Sequence, residues 1–192
     1  MPISNVSALP LPRRDESANA DWVPMNGIYD ATSPQQLDDV RALMRAFVAW
    51  HRRRHVEDLA LIDSYFDVAE FERELASLPG KYALPKGRLL IAYAGGQPAG
   101  CVALRDLGNG ACEMKRMFVP EEFRGRGLGR ALAERVLNDA QDAGYRLMRL
   151  DTSWRQKEAI RLYEGWGFHR VPPYYPCSDA MARWLIFFER KL

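Results

Sequence analysis

The chain of 192 residues has only three cysteines, Cys101, Cys112 and Cys177, and three histidines. The cysteines are odd in number and widely spaced, so they form neither a disulfide scaffold nor a zinc-ligand pattern, and a reducing, cytoplasmic compartment is expected. No run approaches the roughly 18 consecutive apolar residues a membrane helix needs, so no membrane association is expected. Excess charge is scarce too. The 27 basic and 25 acidic residues leave +2, which does not demand a surface that tracks nucleic-acid phosphates. The N-terminal stretch lacks the charged-then-apolar order of a secretory signal, and nothing repeats internally. No G-x-x-x-x-G-K-[ST] string occurs, which excludes a P-loop.

What is present is 47% hydrophobic and 27% charged residues, the composition of a soluble globular domain. Residues 1–26, rich in Pro, Ser, Asn and Asp, read as a flexible N-terminal arm that Trp22 and Val23 could pin to the surface, with one domain spanning 27–192. A short strand is followed by a helix capped by Ser33, with Pro34 in its first position and Gln36 completing a capping box. Leu37, Val40, Met44, Phe47 and Val48 give that helix its apolar stripe. A second helix starts near Asp67 and stops at Pro79-Gly80. From residue 88 three antiparallel strands follow, turning at Gly95-Gly96 and at 108–110, the third covering 112–119. Leu128, Leu132, Val136 and Ala140 mark a helix ending at Gly144. A strand (145–152), a helix closing at Gly167 and a last strand from Arg183 complete an α+β fold. Its mixed, mostly antiparallel sheet carries helices on both faces and one parallel crossover.

Between the third strand and the helix lies RGRGLGR, Arg124 to Arg130, with three glycines and three arginines in seven positions. A dinucleotide fingerprint would need glycine where Arg130 stands, although Asp151 lies at a suitable distance for a ribose contact. An RGG-type nucleic-acid segment would be repeated and would not lead into a patterned helix. A plain turn needs one or two glycines, not three in alternation. The remaining reading is a pyrophosphate cradle. Glycines 125, 127 and 129 free backbone N–H groups at a helix N-terminus, with Arg124 and Arg130 adding charge.

Arg124-x-x-Gly127-x-Gly129 behind a strand, together with the late segment AIRLYEGWGF, resembles the GCN5-related N-acetyltransferases, the GNAT family. One departure is visible: Pro120 directly follows Val119, and Glu121 takes the slot where family members often carry proline. The resemblance implies the GNAT fold over 27–192 and acetyl-CoA as co-substrate, with no metal. It implies binding of acetyl-CoA by Met117, Phe118, Val119, Arg124, Gly125, Arg126, Gly127, Leu128, Gly129 and Arg130. The thioester would lie beside Met117-Phe118-Val119, where a backbone N–H serves the oxyanion. Tyr163 matches the family's general acid for the departing thiolate, its alternative being a core aromatic in the stripe Ala159, Leu162, Tyr163, Trp166. Glu113 matches the position of a general base in some members. Strand alternation would put Glu113, Lys115, Met117 and Val119 on one face. A salt bridge for Glu113, or a water chain as base, stays open.

HRRRH, residues 51–55, reads as a solvated helix end or an acceptor-recognising cluster. His51 and His55 lack a third zinc ligand. Tyr174 and Tyr175 line an acceptor pocket or fill a loop. The expected activity is direct acetyl transfer to the amine of a small molecule within a ternary complex. A CoA-binding sensor without turnover, a protein or peptide amine as acceptor, an NAD-binding regulator and a homodimer remain alternatives.

Overall fold

The computed structural model describes residues 26–192. The arm read from the sequence thus lies outside the described residues, Trp22 and Val23 included, except for Asn26, which opens the first strand.

Among the described residues seven strands form one sheet, in the order β1-β2-β3-β4-β5-β7-β6. They are β1 (Asn26–Asp30), β2 (Arg88–Ala94), β3 (Gln97–Gly108), β4 (Ala111–Phe118), β5 (Leu147–Ser153), β6 (His169–Val171) and β7 (Leu185–Lys191). Only β4 and β5 run parallel. The helices are α1 (Pro34–Arg54), α2 (Leu59–Tyr65), α3 (Val68–Ala76), α4 (Leu128–Asp142), α5 (Lys157–Gly165) and α6 (Asp179–Trp184).

Local chemistry sets several boundaries. Ser33 accepts from the Gln36 N–H while the Gln36 side chain accepts from the Ser33 N–H, closing the expected capping box on α1. Asp67 caps α3 in the same manner through the Glu70 N–H. Two helices and one strand differ from the sequence reading. Helices α2 and α6, of seven and six residues, are too short to display a full amphipathic repeat. Strand β6, three residues long, carries no alternation to read.

The sheet divides the core in two. On one face Cys101, Ala103 and Phe118 pack with α1, α3 and α6 residues such as Met44, Leu75 and Trp184. On the other, Val102, Leu104 and Met114 pack with α4 and α5 residues such as Leu132, Val136 and Ile160. Alternation along β3 sends successive side chains to opposite layers.

Two irregularities position the site. Strands β4 and β5 are paired only over Ala111–Glu113 and Leu147–Arg149, so the sheet opens beyond those residues. Between Cys101↔Phe118 and Ala103↔Lys115, β4 contains one residue more than β3, a bulge at which Arg116 has φ +56°. The bulge inverts the later alternation. Phe118, not Met117, continues the Lys115 face, while Met117 and Val119 pack against the opposite core. The expectation that Glu113, Lys115, Met117 and Val119 share one face is therefore corrected: a single inserted residue shifts the period of two.

Candidate active site

Two large cavities lie on opposite sides of the opened β4–β5 edge, joined by a small one. The first, about 560 Å³, is lined by β4-end and loop residues Met117, Phe118, Val119, Arg124, Gly125 and Gly127–Arg130, and by Trp50, Tyr163 and Trp166. The second, about 510 Å³, lies among α2, α3, β4 and the segment before α6, with Phe66, Glu74, Arg105, Arg116 and Tyr175 in its wall. The connecting space, about 60 Å³, has Lys115, Asp151 and Tyr163 in its lining, room for a few waters.

The glycine loop fits an anion. Gly125 and Gly127 have φ +74° and +81°, and a Cβ at either would point into open space. That left-handed conformation is open to glycine without the side-chain penalty. Gly129 has no positive φ and sits in the first turn of α4, where a Cβ would meet only Met117 Cε at 3.8 Å. No side chain caps α4 and no acidic residue occupies its first turn, which leaves its first N–H groups facing the cavity without an internal partner. A cation, Arg130, stands in that turn instead and makes no ion pair among the described residues. Such a placement is unfavourable beside the helix dipole unless an anion joins it. The Arg124 guanidinium donates through Nε to the Val119 carbonyl at 2.9 Å and lies 4.7 Å from the centre of the Trp50 ring. Arg126 turns away, its guanidinium 5.7 Å from the Phe123 ring centre.

Tyr163 stands where the core meets the cavities. Its ring packs with Trp166, Phe168 and Phe188, yet it lines the first cavity and the connecting space. Its hydroxyl has no hydrogen-bond partner among the described residues. Burial, with a smaller effect of Asp151, pushes its pKa up to about 12.

Glu113 is fully buried and lines none of these three cavities. One oxygen accepts from Arg105 Nε and the other from the Tyr174 hydroxyl at 2.7 Å, with Lys115 Nζ at 3.7 Å. Tyr174 thus holds Glu113, while Tyr175 lines the second cavity.

The carboxylate at the joint is Asp151, which the sequence suggested only as a ribose ligand. Lys115 Nζ donates to it at 2.9 Å and to the Tyr65 hydroxyl at 2.7 Å, and Tyr65 donates to the other Asp151 oxygen. Burial opposes ionisation of Asp151, but Lys115 and Tyr65 outweigh it and lower the pKa. Burial likewise opposes charge on Lys115, and Asp151 and Glu113 reverse that, so its pKa is raised.

HRRRH divides by residue. His51 and His55 are buried, not solvated, and the Gln156 Nε2 lies 2.8 Å from His55 Nε2 and 3.5 Å from His51 Nδ1. Burial, then His55, lowers the His51 pKa to about 4. Arg52, Arg53 and Arg54 stay exposed, Arg54 pairing with Glu158 of α5 at 3.0 Å. Among the described residues no group of three or more His, Cys, Asp or Glu is arranged to hold a metal ion. No described helix is long and apolar enough to cross a membrane.

The profile of the acetyltransferase (GNAT) domain matches residues 85–170. An uncharacterised N-acetyltransferase of Schizosaccharomyces pombe is 35% identical over 144 residues, 74% of this chain and 82% of the relative. Another from Dictyostelium discoideum is 29% identical over 202 aligned positions, covering 73% of this chain and 88% of its own length. The crystal structure of the PaiA N-acetyltransferase of Thermoplasma acidophilum in complex with coenzyme A shares the fold, with TM-score 0.64 and 15% identity over 87% of this chain and 99% of that one. The chain belongs to the GNAT N-acetyltransferase family, as an acyltransferase of α+β fold.

Proposed function

We propose that the protein transfers an acetyl group from acetyl-CoA directly to the amine of a small molecule, the two substrates entering from opposite sides of the opened sheet. The observation that carries this reading is the pair of cavities meeting beneath Tyr163 and Asp151. A single binding pocket would suffice for a sensor. The first cavity lies in the usual ligand-site range of about 300–1,000 Å³.

Acetyl-CoA supplies the acetyl thioester. The N–H groups at the start of α4, with Arg124 and Arg130, would hold its pyrophosphate, and the backbone at Met117–Val119 would donate to the thioester oxygen, an arrangement worth about 3 kcal/mol by analogy with oxyanion holes. Tyr163, which lines this cavity, would offer its proton to the departing sulfur. Both oxygens of Glu113 are engaged by Arg105 and Tyr174. We therefore assign the first proton transfer from the amine to water in the connecting space, whose wall carries Asp151. Transfer through Cys101 or Cys112 has no support: both are buried, and burial pushes both thiols up to about 12.

The test is thiol release from acetyl-CoA over a panel of free amines, amino acids, peptides and folded proteins, with the acetylated product identified by mass. At least one small amine is expected to be turned over. Acetylation of folded proteins only would overturn the small-molecule assignment, and binding without turnover of any acceptor would return the protein to the sensor class.

A further inference from the structure

The second cavity contains a cation whose binding capacity is largely unspent. Four basic side chains reach it: Lys81, Arg105, Lys115 and Arg116. Three are committed. Arg116 donates through Nε and one terminal nitrogen to Glu74, and Lys81 donates to the same carboxylate. Lys115 is held by Tyr65 and Asp151.

Arg105 differs. Only its Nε is used, on Glu113, and its terminal nitrogens make no hydrogen bond among the described residues. A guanidinium has five N–H donors in a fixed planar fork, so four remain. The fork is also held in place. Glu113 is itself fixed by Tyr174 and fully buried, while the Arg105 side chain keeps about a third of its surface exposed at the cavity. A guanidinium anchored on one edge and open on the other is a receptor for a planar, bidentate anion.

We propose that the acceptor is an amino carboxylate, its carboxylate bound by the terminal nitrogens of Arg105 and its amine directed to the space beside Asp151 and Tyr163. This rests on the acetyl-transfer reading above and specifies its acceptor. The walls favour a zwitterion over a simple amine or a dianion. Asp67 and Glu70 stand on the α3 side, opposite the sheet that carries Arg105. They favour an incoming ammonium and disfavour the second negative charge of a phosphate monoester. Phe66, Phe71 and Tyr175 add apolar wall for an uncharged side chain. The sheet sets the reach: Arg105 faces Glu113, while Lys115 lies opposite Ala103, two residues along β3, or about 7 Å. That gap is within the span of an arginine side chain plus an amino acid.

The test compares free amino acids with their methyl esters, their decarboxylated amines and phosphoethanolamine, in wild type, Arg105→Gln and Arg105→Lys. Each is scored by kcat/KM and by thermal shift on the protein with and without CoA, with acetyl-CoA binding measured separately. In wild type the free acids are expected to exceed their esters by about tenfold or more, in turnover or in thermal shift. Arg105→Gln should erase that preference through KM, leaving acetyl-CoA binding intact. Arg105→Lys keeps a charge beside Glu113 but loses the fork, so it should fold and still lose most of the preference. Esters, plain amines or phosphoethanolamine performing as well as the free acids would overturn the proposal, as would an undiminished preference in Arg105→Lys. Loss of acetyl-CoA binding in the wild type would instead overturn the acetyl-transfer reading, and the thermal shift with free acids would still judge the pocket.

Discussion

Tyr163 keeps its ring in the core while its hydroxyl meets a cavity, and the elevated pKa decides how it can act. Transfer from a phenol near 12 to a thiolate whose acid has a pKa of about 8.5 is uphill by about 5 kcal/mol. The phenol therefore serves best as a hydrogen-bond donor that strengthens as charge develops on sulfur. Tyr163→Phe should preserve melting temperature and acetyl-CoA affinity but lower turnover by a factor of about 10² or more. Full activity in a steady-state comparison would leave Tyr163 as a core residue only. Because the raised pKa keeps the phenol protonated, this residue should add no alkaline fall in kcat below about 12. Glu113 tests the opposite case. Glu113→Gln removes the buried counter-charge of Arg105, while Lys115 keeps Asp151, and breaking a buried pair typically costs about 3–5 kcal/mol. Lower stability with an unchanged shape of the pH–rate profile is expected. A stable variant that had lost the acidic limb of that profile would make Glu113 the base. The sequence made both residues legible as types, because each falls in a recognisable stretch. It did not reveal Arg105, Tyr174 or Asp151 as partners, since those contacts join strands and loops far apart in the chain.

At the scale of elements, the start of α4 was the most legible feature, because its determinants are consecutive residues. The β4 bulge was hidden: nothing in CEMKRMFV marks which residue is extra, and pairing with β3 selects it. Structure also separates the three glycines. Valine at Gly127 would be forced into a left-handed conformation at a cost of roughly 1–2 kcal/mol, whereas Gly129→Val meets no such strain. The latter should change folding stability by less than about 1 kcal/mol and weaken acetyl-CoA binding about tenfold or more, read by calorimetry. Unaltered affinity would move the cradle elsewhere. The other telling junction joins α1 to the start of α5 through His51, His55 and Gln156. A histidine whose folded pKa is lowered from 6.5 to about 4 contributes stability that is present above the higher value and lost as pH falls through the lower. That contribution amounts to about 3 kcal/mol. Against burial, Arg116 and Lys81 hold the Glu74 carboxyl down to about 2, so its contribution is lost only in stronger acid. Melting temperatures should therefore decline from pH 6.5 towards 4, and His51→Gln should flatten that decline. An equal slope in the variant would place the acid sensitivity in other groups.

For the whole molecule, the opened edge between β4 and β5 is a structural cost with a functional use. Four strands on one side of this edge (β1–β4) and three on the other (β5, β7 and β6) are joined by antiparallel ladders, but the two sets meet through only three residue pairs. Below the edge Asp151, Lys115 and Tyr65 tie β5, β4 and α2 together, and the first cavity is walled by both sets. A ligand there binds the folded arrangement and has no equivalent in the unfolded chain, so its affinity adds to stability by mass action. At 100 times its dissociation constant the gain is about 2.7 kcal/mol, or about 5–10 °C for a chain of this size. Acetyl-CoA and CoA should produce that shift. NAD and ATP at equal concentration should not, because the loop lacks both a third fingerprint glycine and a P-loop lysine. Amide exchange offers the spatial counterpart. Protection should rise on β5 and α5 as well as at the start of α4, since all three face the same cavity. Protection confined to α4 would mean that the pyrophosphate cradle binds without closing the edge, and a shift with NAD in place of acetyl-CoA would remove the cradle assignment itself.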